Sequence, residues 1–157
     1  MPRLLVAAVA ARLPGWAEAA CADYLARLPR EFAAERVTVK PEPRPEGKSV
    51  PQLLAAEATR LRARLPRGAT LIALDERGAD LGTRAFATRL RGWADAGQPV
   101  AFVIGGADGL DPALQREAAL SLRLSSFTLP HALAQVVLCE QLYRAVSLLR
   151  GHPYHRD

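Results

Sequence analysis

The sequence predicts an α/β fold: one domain with a mostly parallel sheet and helices on both faces. Three observations carry that reading. Strand-like and helix-like stretches alternate from end to end. Two of the strands, residues 69–75 and 99–104, are built on continuous apolar runs, as strands covered on both faces are. The chain has 157 residues, half of them hydrophobic, enough to bury one core without metal or disulfide staples.

Residues 4–10 form the first strand. Pro14-Gly-Trp16 opens a helix in which Trp16, Ala20, Tyr24 and Leu28 recur at helical spacing, and Pro29 ends it. Arg36-Val-Thr-Val-Lys40 alternates and is β-branched, which makes it a strand. The next stretch, Pro41-Glu-Pro-Arg-Pro-Glu-Gly-Lys-Ser49, holds three prolines and a glycine and is a loop. Its Arg44 and Lys48 are candidate contacts to an RNA backbone. Ser49 caps a helix to about residue 65 that turns Leu53, Leu54, Ala58, Leu61 and Leu65 inward. Arg60, Arg62, Arg64 and Arg67 belong to its solvated side.

After strand 69–75, a turn through Gly78 and Gly82 leads into a helix over 83–96. Phe86, Leu90 and Trp93 face inward there, and Gly97 ends it. Strand 99–104 breaks into Gly105-Gly-Ala-Asp-Gly109, followed by a short helix near 113–119. The last strand covers 122–127, and Thr128-Leu-Pro-His131 turns the chain into a helix over 133–149. That helix is apolar on more than one side, so one face can meet the sheet and another a partner subunit. Glu140 and Arg144 stand at i, i+4 in the favourable order for an ion pair.

Lys plus Arg number 21 against 16 acidic residues, a net charge of +5 that suits a polyanionic partner. Cys21 and Cys139 lie in apolar helical patterns without metal-ligand spacing and are expected as buried, reduced thiols with no metal. The start, Met1-Pro-Arg-Leu-Leu-Val, imitates a signal peptide, but Arg12 ends the apolar run and a first strand explains it better. No segment approaches the ~20 apolar residues of a membrane span. A cytoplasmic protein is expected.

The glycine turn follows a buried strand, at the carboxyl end where open α/β sheets bind ligands. Its spacing is neither the dinucleotide fingerprint nor the phosphate loop. A bulky side chain at Gly105 is expected to block a ligand there and spare the fold.

Four stretches in order resemble one family: Val103-Ile-Gly-Gly-Ala-Asp-Gly-Leu110, Leu124-Ser-Ser-Phe-Thr-Leu-Pro-His131, Glu140-Gln-Leu-Tyr-Arg-Ala145 and His152-Pro-Tyr-His-Arg156. Leu13-Pro-Gly-Trp16, Tyr24-Leu25 and Leu74-Asp75 extend the match over the whole chain. The chain is similar to the small knotted SPOUT-class methyltransferases that methylate N3 of a pseudouridine in large-subunit (23S) ribosomal RNA. The resemblance implies a C-terminal trefoil knot, a homodimer with its active site near the subunit boundary, and S-adenosyl-L-methionine as cofactor. It puts the cofactor contacts on Leu74, Gly105, Gly106, Leu124, Ser125, Ser126, Phe127, Thr128 and Leu129. Substrate handling falls to the tail, His152, Tyr154, His155 and Arg156, together with Arg144, and no general base is assigned. His131 reads as a corner residue bonding backbone. Where the family usually carries Arg, this chain has Gln135, and position 132, often Pro, is Ala.

Two other classes remain open on the residues alone. A non-catalytic RNA-binding domain would explain the net charge, and failure to bind S-adenosylmethionine would favour it. A different nucleotide-binding enzyme would use the glycine turn and prefer ATP or NAD. Within the class, the substrate could instead be tRNA.

Overall fold

The computed structural model describes residues 3–156. Met1 and Pro2 of the leader-like start, and Asp157 of the tail, lie outside the described residues. Five strands form one sheet in the order β2-β1-β4-β3-β5, every neighbouring pair parallel. In chain order the elements are β1 (Leu4–Val9), α1 (Gly15–Ala26), β2 (Ala34–Val39), α2 (Val50–Arg64), β3 (Thr70–Asp80), α3 (Thr83–Asp95), β4 (Val100–Ile104), α4 (Pro112–Glu117), β5 (Leu120–Arg123) and α5 (His131–Leu149).

The central strands are buried on both faces. Leu4, Val6 and Ala8 of β1 join Ile72 and Phe102 in a core covered by α3 and α5 through Phe86, Leu90, Leu138 and Leu142. The alternate residues Leu5, Ala7 and Val9 join Ala73 and Val103 under α2 and α4, through Ala58, Leu61 and Leu114. The period of two along one strand therefore feeds two cores. The start of α2 is fixed locally: the Ser49 hydroxyl accepts from the Gln52 backbone N–H, and the Gln52 side chain accepts from the Ser49 N–H.

Four expectations change. In α1 the buried positions are Ala17 and Cys21, while Trp16 is 57% exposed; small residues, not the large ring, face the core. Gly78 belongs to no turn, because β3 runs through it to Asp80. A register shift between Leu74 and Ala79 lets the far part of β3 rejoin β5. A Cβ on Gly78 would sit 2.7 Å from the Leu122 backbone, so only glycine permits that approach. The last strand covers 120–123 rather than 122–127, since the Ser125 hydroxyl accepts from the Phe127 N–H and curls the chain.

The fourth concerns α5. It has 19 residues and an 18-residue stretch of mean hydropathy 1.2, so among the described residues it alone could cross a membrane by length and composition. Of that span 39% is buried inside the fold, where Gln135, Leu138, Cys139 and Leu142 pack inward. It is built as a core helix against α1, α3 and the sheet.

Candidate functional site

At the carboxyl ends of β3, β4 and β5 the sheet opens into a cleft of about 590 Å³ that includes Leu74, Ile104, Gly105, Gly106, Leu129 and His131 in its walls. A narrower recess of about 160 Å³ continues from it past Leu122, Leu124, Ser125, Phe127 and Thr128. The two share Leu74, Asp75, Glu76, Ile104, Leu129 and Ala134. Residues expected to bind the cofactor from three separate stretches thus meet at one opening. Ser126, exposed in the same loop, lines neither cavity. The Phe127 ring stands 84% exposed at the rim of the recess.

The glycine turn is held by its own backbone. Gly109 N–H donates to the Gly106 carbonyl at 3.1 Å. A Cβ on Gly105 would lie 2.3 Å from the Gly109 carbonyl carbon and oxygen. On Gly106 it would lie 3.2 Å from the Val9 side chain. Neither missing side chain is replaced by open cleft: Gly105 has no room for a Cβ because the loop closes on itself, and a Cβ on Gly106 would press on the Val9 side chain. The expectation that a bulky residue at Gly105 would spare the fold is corrected accordingly.

Charge around the cleft is largely paired. Asp75 accepts from the Arg77 N–H at 3.0 Å and from the Gln115 amide at 3.3 Å. Arg44 crosses from the proline-rich loop to pair with Asp108. Lys48 pairs with Glu42 at 2.5 Å, and Arg60 also pairs with Glu42. Both basic side chains expected to face RNA from that loop make intramolecular pairs while staying partly exposed. Among the described residues, no group of His, Cys, Asp and Glu could hold a metal ion.

Sequence reasoning missed the chain of contacts behind the cleft. His131, the first residue of α5, bonds through Nε2 to the Gln135 amide at 2.9 Å rather than to backbone. Gln135 is fully buried and accepts from Arg36 of β2 at 3.0 Å. Arg36 in turn pairs with Glu18 of α1. Burial lowers the His131 pKa below its ordinary value. Arg36 and Gln135 lie 99 positions apart, so no local pattern could have announced their contact.

The tail forms a second cluster, folded back on α5 of its own chain. The Gly151 N–H donates to Leu148 and the His152 N–H to Ser147, the latter at 2.9 Å. The Tyr154 hydroxyl donates to Glu140 at 3.0 Å, and Arg144 pairs with the same carboxylate at 2.7 Å. The Arg144 guanidinium also lies 4.7 Å from the Tyr154 ring centroid and meets His155 Nδ1 at 3.2 Å. Tyr154 packs edge-on against Tyr143 at 4.6 Å. Burial and the adjacent Glu140 push the Tyr154 hydroxyl up to about 12, so it stays protonated near neutrality and donates. His152 and Arg156 remain exposed. Three of the five candidates, Arg144, Tyr154 and His155, are thus placed together, but not at the cleft. Glu140, their anchor, lies nine residues along α5 from His131, an axial separation of about 14 Å.

Comparison with known proteins follows the same outline. The family model described as "Predicted SPOUT methyltransferase" matches residues 3–155. A relative from Verminephrobacter eiseniae named ribosomal RNA large subunit methyltransferase H is 57% identical over 155 residues, covering 99% of each chain. Proteins of the same name from Bordetella pertussis and Dechloromonas aromatica are 53% and 52% identical, with 98% and 99% of this chain covered. A crystal structure of a probable methyltransferase from Bordetella pertussis Tohama I shares the fold at 20% identity and a TM-score of 0.57, over 92% of this chain and 96% of that one. With its α/β sheet, its cleft at the strand ends and a family match over nearly its whole length, the chain belongs to the SPOUT methyltransferases, alongside the relatives named ribosomal RNA large subunit methyltransferase H.

Proposed function

We propose that the protein is an S-adenosylmethionine-dependent methyltransferase of large-subunit ribosomal RNA that acts on N3 of a pseudouridine. The observation that carries the proposal is the cleft at the ends of β3, β4 and β5, where Leu74, the turn at Gly105 and Gly106, and the run from Leu124 to Leu129 converge. Its volume of about 590 Å³ lies within the usual range for small-molecule sites. The names of the relatives support the RNA substrate. An enzyme with that substrate works in the cytoplasm, where ribosomes are made.

The residues fit the cofactor's chemistry. Backbone groups of the glycine turn and the strand-end loop can bond its adenine and amino-acid ends, while Leu74, Ile104 and Leu129 cover apolar surface. When bound, it supplies an electrophilic methyl group on a cationic sulfur. The protein's work is alignment of the target nitrogen with that carbon, and acceptance or dispersal of the imide proton as the N–C bond forms. Arg144, His152, His155 and Arg156 supply donors to carbonyl or phosphate oxygens, and Tyr154 supplies a ring. Tyr154 is not the base while its hydroxyl donates to Glu140.

A homodimer belongs to the same reading. The tail cluster is anchored about 14 Å along α5 from the cleft of its own chain, so a tail from a second copy completes each site. Along α5 the side chains of Leu133, Val136, Val137, Leu148 and Leu149 are only partly buried, which suits coverage by a partner. The C-terminal trefoil knot is likewise part of the proposal, as is one domain spanning residues 1–157.

The test is methyl transfer to ribosomes from cells lacking this protein, with the modified base mapped by mass spectrometry. A methyl group on N3 of one large-subunit pseudouridine is expected. Methylation confined to tRNA, or none with the cofactor bound, would overturn the assignment.

A further inference from the structure

We propose that Gln135 and Arg36 are positioning residues that hold His131 neutral, with its ring proton on Nδ1, in the wall of the cleft. The argument begins at the guanidinium, which has donors and no acceptor. One Arg36 nitrogen donates to Gln135 Oε1 at 3.0 Å, and another is taken by Glu18. The Gln135 amide is completely buried. Flipping it would turn its NH₂ group toward a guanidinium and leave a buried oxygen against the His131 ring, so Arg36 fixes which way it points.

The amide nitrogen is therefore the group that meets His131 Nε2 at 2.9 Å. That nitrogen is only a donor, so the ring must accept there, and a neutral imidazole accepting at Nε2 carries its hydrogen on Nδ1. Protonating the ring would set N–H against N–H. Two further features act in the same sense. Burial disfavours the imidazolium, and His131 is the first residue of α5, where the helix dipole opposes a cation.

Charged groups also border the ring. The same cleft is lined by Asp75, Glu76, Arg77 and Asp108. Asp75 accepts from the Arg77 backbone N–H and the Gln115 amide, and Asp108 is paired with Arg44. Behind Gln135 stand Arg36 and Glu18, paired with each other. Resting on the cofactor reading of the cleft, the consequence is electrostatic. S-adenosylmethionine is cationic at sulfur, and a neutral His131 keeps a like charge out of its binding wall.

The experiment reads the ring directly. Long-range ¹⁵N–¹H spectra of labelled protein should show His131 as the Nδ1–H tautomer, titrating below the ordinary ~6.5. Gln135→Glu keeps an acceptor for Arg36 but offers His131 a carboxylate. Its ring proton should move to Nε2 and its midpoint should rise by roughly one pH unit or more. Arg36→Met frees the amide to flip, so both tautomers should appear and the midpoint should move toward the ordinary value. Removing a purely structural contact would lower the melting temperature and leave the tautomer alone. An Nε2–H tautomer in the unaltered protein, or a tautomer that ignores both variants, overturns the proposal.

A second readout separates it from the cofactor assignment. Between about pH 7 and 5, the affinity ratio of S-adenosylmethionine to S-adenosylhomocysteine should fall as His131 protonates, and the fall should begin at higher pH in Arg36→Met. A tautomer that follows the variants while this ratio stays flat would overturn the placement of the sulfonium beside His131 and leave the His131 state standing.

Discussion

At the scale of single residues, protons decide what the side chains can do. Tyr154 keeps its proton to about 12, so the pH profile of methyl transfer should show no limb belonging to it between about pH 6 and 9. Tyr154→Phe should retain the shape of the profile, because the ring that packs on Tyr143 and Arg144 survives, whereas Tyr154→Ala should lose rate. A limb that disappears in Tyr154→Phe would make the hydroxyl the base after all. His131 gives a stability prediction with a definite sign. Its folded pKa is lowered, so as pH falls below the ordinary ~6.5 the unfolded chain takes up the proton first. The neutral ring's contribution is full above that value and lost on acidification toward the folded pKa. Urea unfolding at about pH 7.5 and 5.5 should show the unaltered protein losing more stability than His131→Gln. Gly105 illustrates a different constraint. Gly105→Ala places a carbon 2.3 Å from Gly109, and a cost of about 1–3 kcal/mol in folding should accompany any loss of cofactor affinity measured by calorimetry.

At the scale of elements, what could be read from the sequence depended on whether the signal was local. The start of α2 was legible because Ser49 and Gln52 cap each other within one turn. The four-motif order from Val103 to Arg156 marked the cleft, since its glycine turn and Leu124–Leu129 loop lie next to their strands. The inner face of α1 was not legible. Of its core contacts only Cys21 was expected to be buried; Ala17 was not, since alanines on every side give no stripe for the large residues to mark. Gly78 looked like punctuation because a glycine in a polar stretch usually turns the chain, yet here it admits the backbone of β5. His131 and Gln135 stand at i, i+4, but the Arg36–Gln135 contact that joins α5 to the far edge strand has no sequence signature. The tail is an element whose role can be isolated. Deleting residues 151–157 removes the Tyr154–Glu140 bond but little core, so methyl transfer should fall at least ~100-fold. Cofactor affinity should stay within a few-fold. A truncated protein with full activity would exclude the tail from the reaction.

At the scale of the whole molecule, the proposed homodimer is what would bring the two clusters together. Light scattering at micromolar concentration should find a dimer, and a stable, active monomer would contradict it. Mixed dimers give the sharper result. Leu129→Glu puts a charge into both recesses of the cleft and should abolish cofactor binding. The tail-deleted chain keeps its cleft. If each site takes cofactor from one subunit and tail from the other, a dimer of these two variants has one working site. That site combines the truncated chain's cleft with the Leu129→Glu chain's tail. Recovered methyl transfer on mixing is expected, while its absence would place tail and cleft action in the same subunit.

The order β2-β1-β4-β3-β5 leaves two strands with an open side, and both are poor templates for further pairing. Of the six residues in β2, Glu35 and Thr38 are exposed and Arg36 is tied to Glu18. The other margin, β5, is four residues long and ends at an Arg123–Asp80 ion pair. Short margins studded with charge resist strand-to-strand addition and the fibrillar growth that follows from it. In the proposed homodimer a second copy would meet the helices and not the sheet. A chain with so apolar a central sheet can then associate in a closed pair without also polymerising.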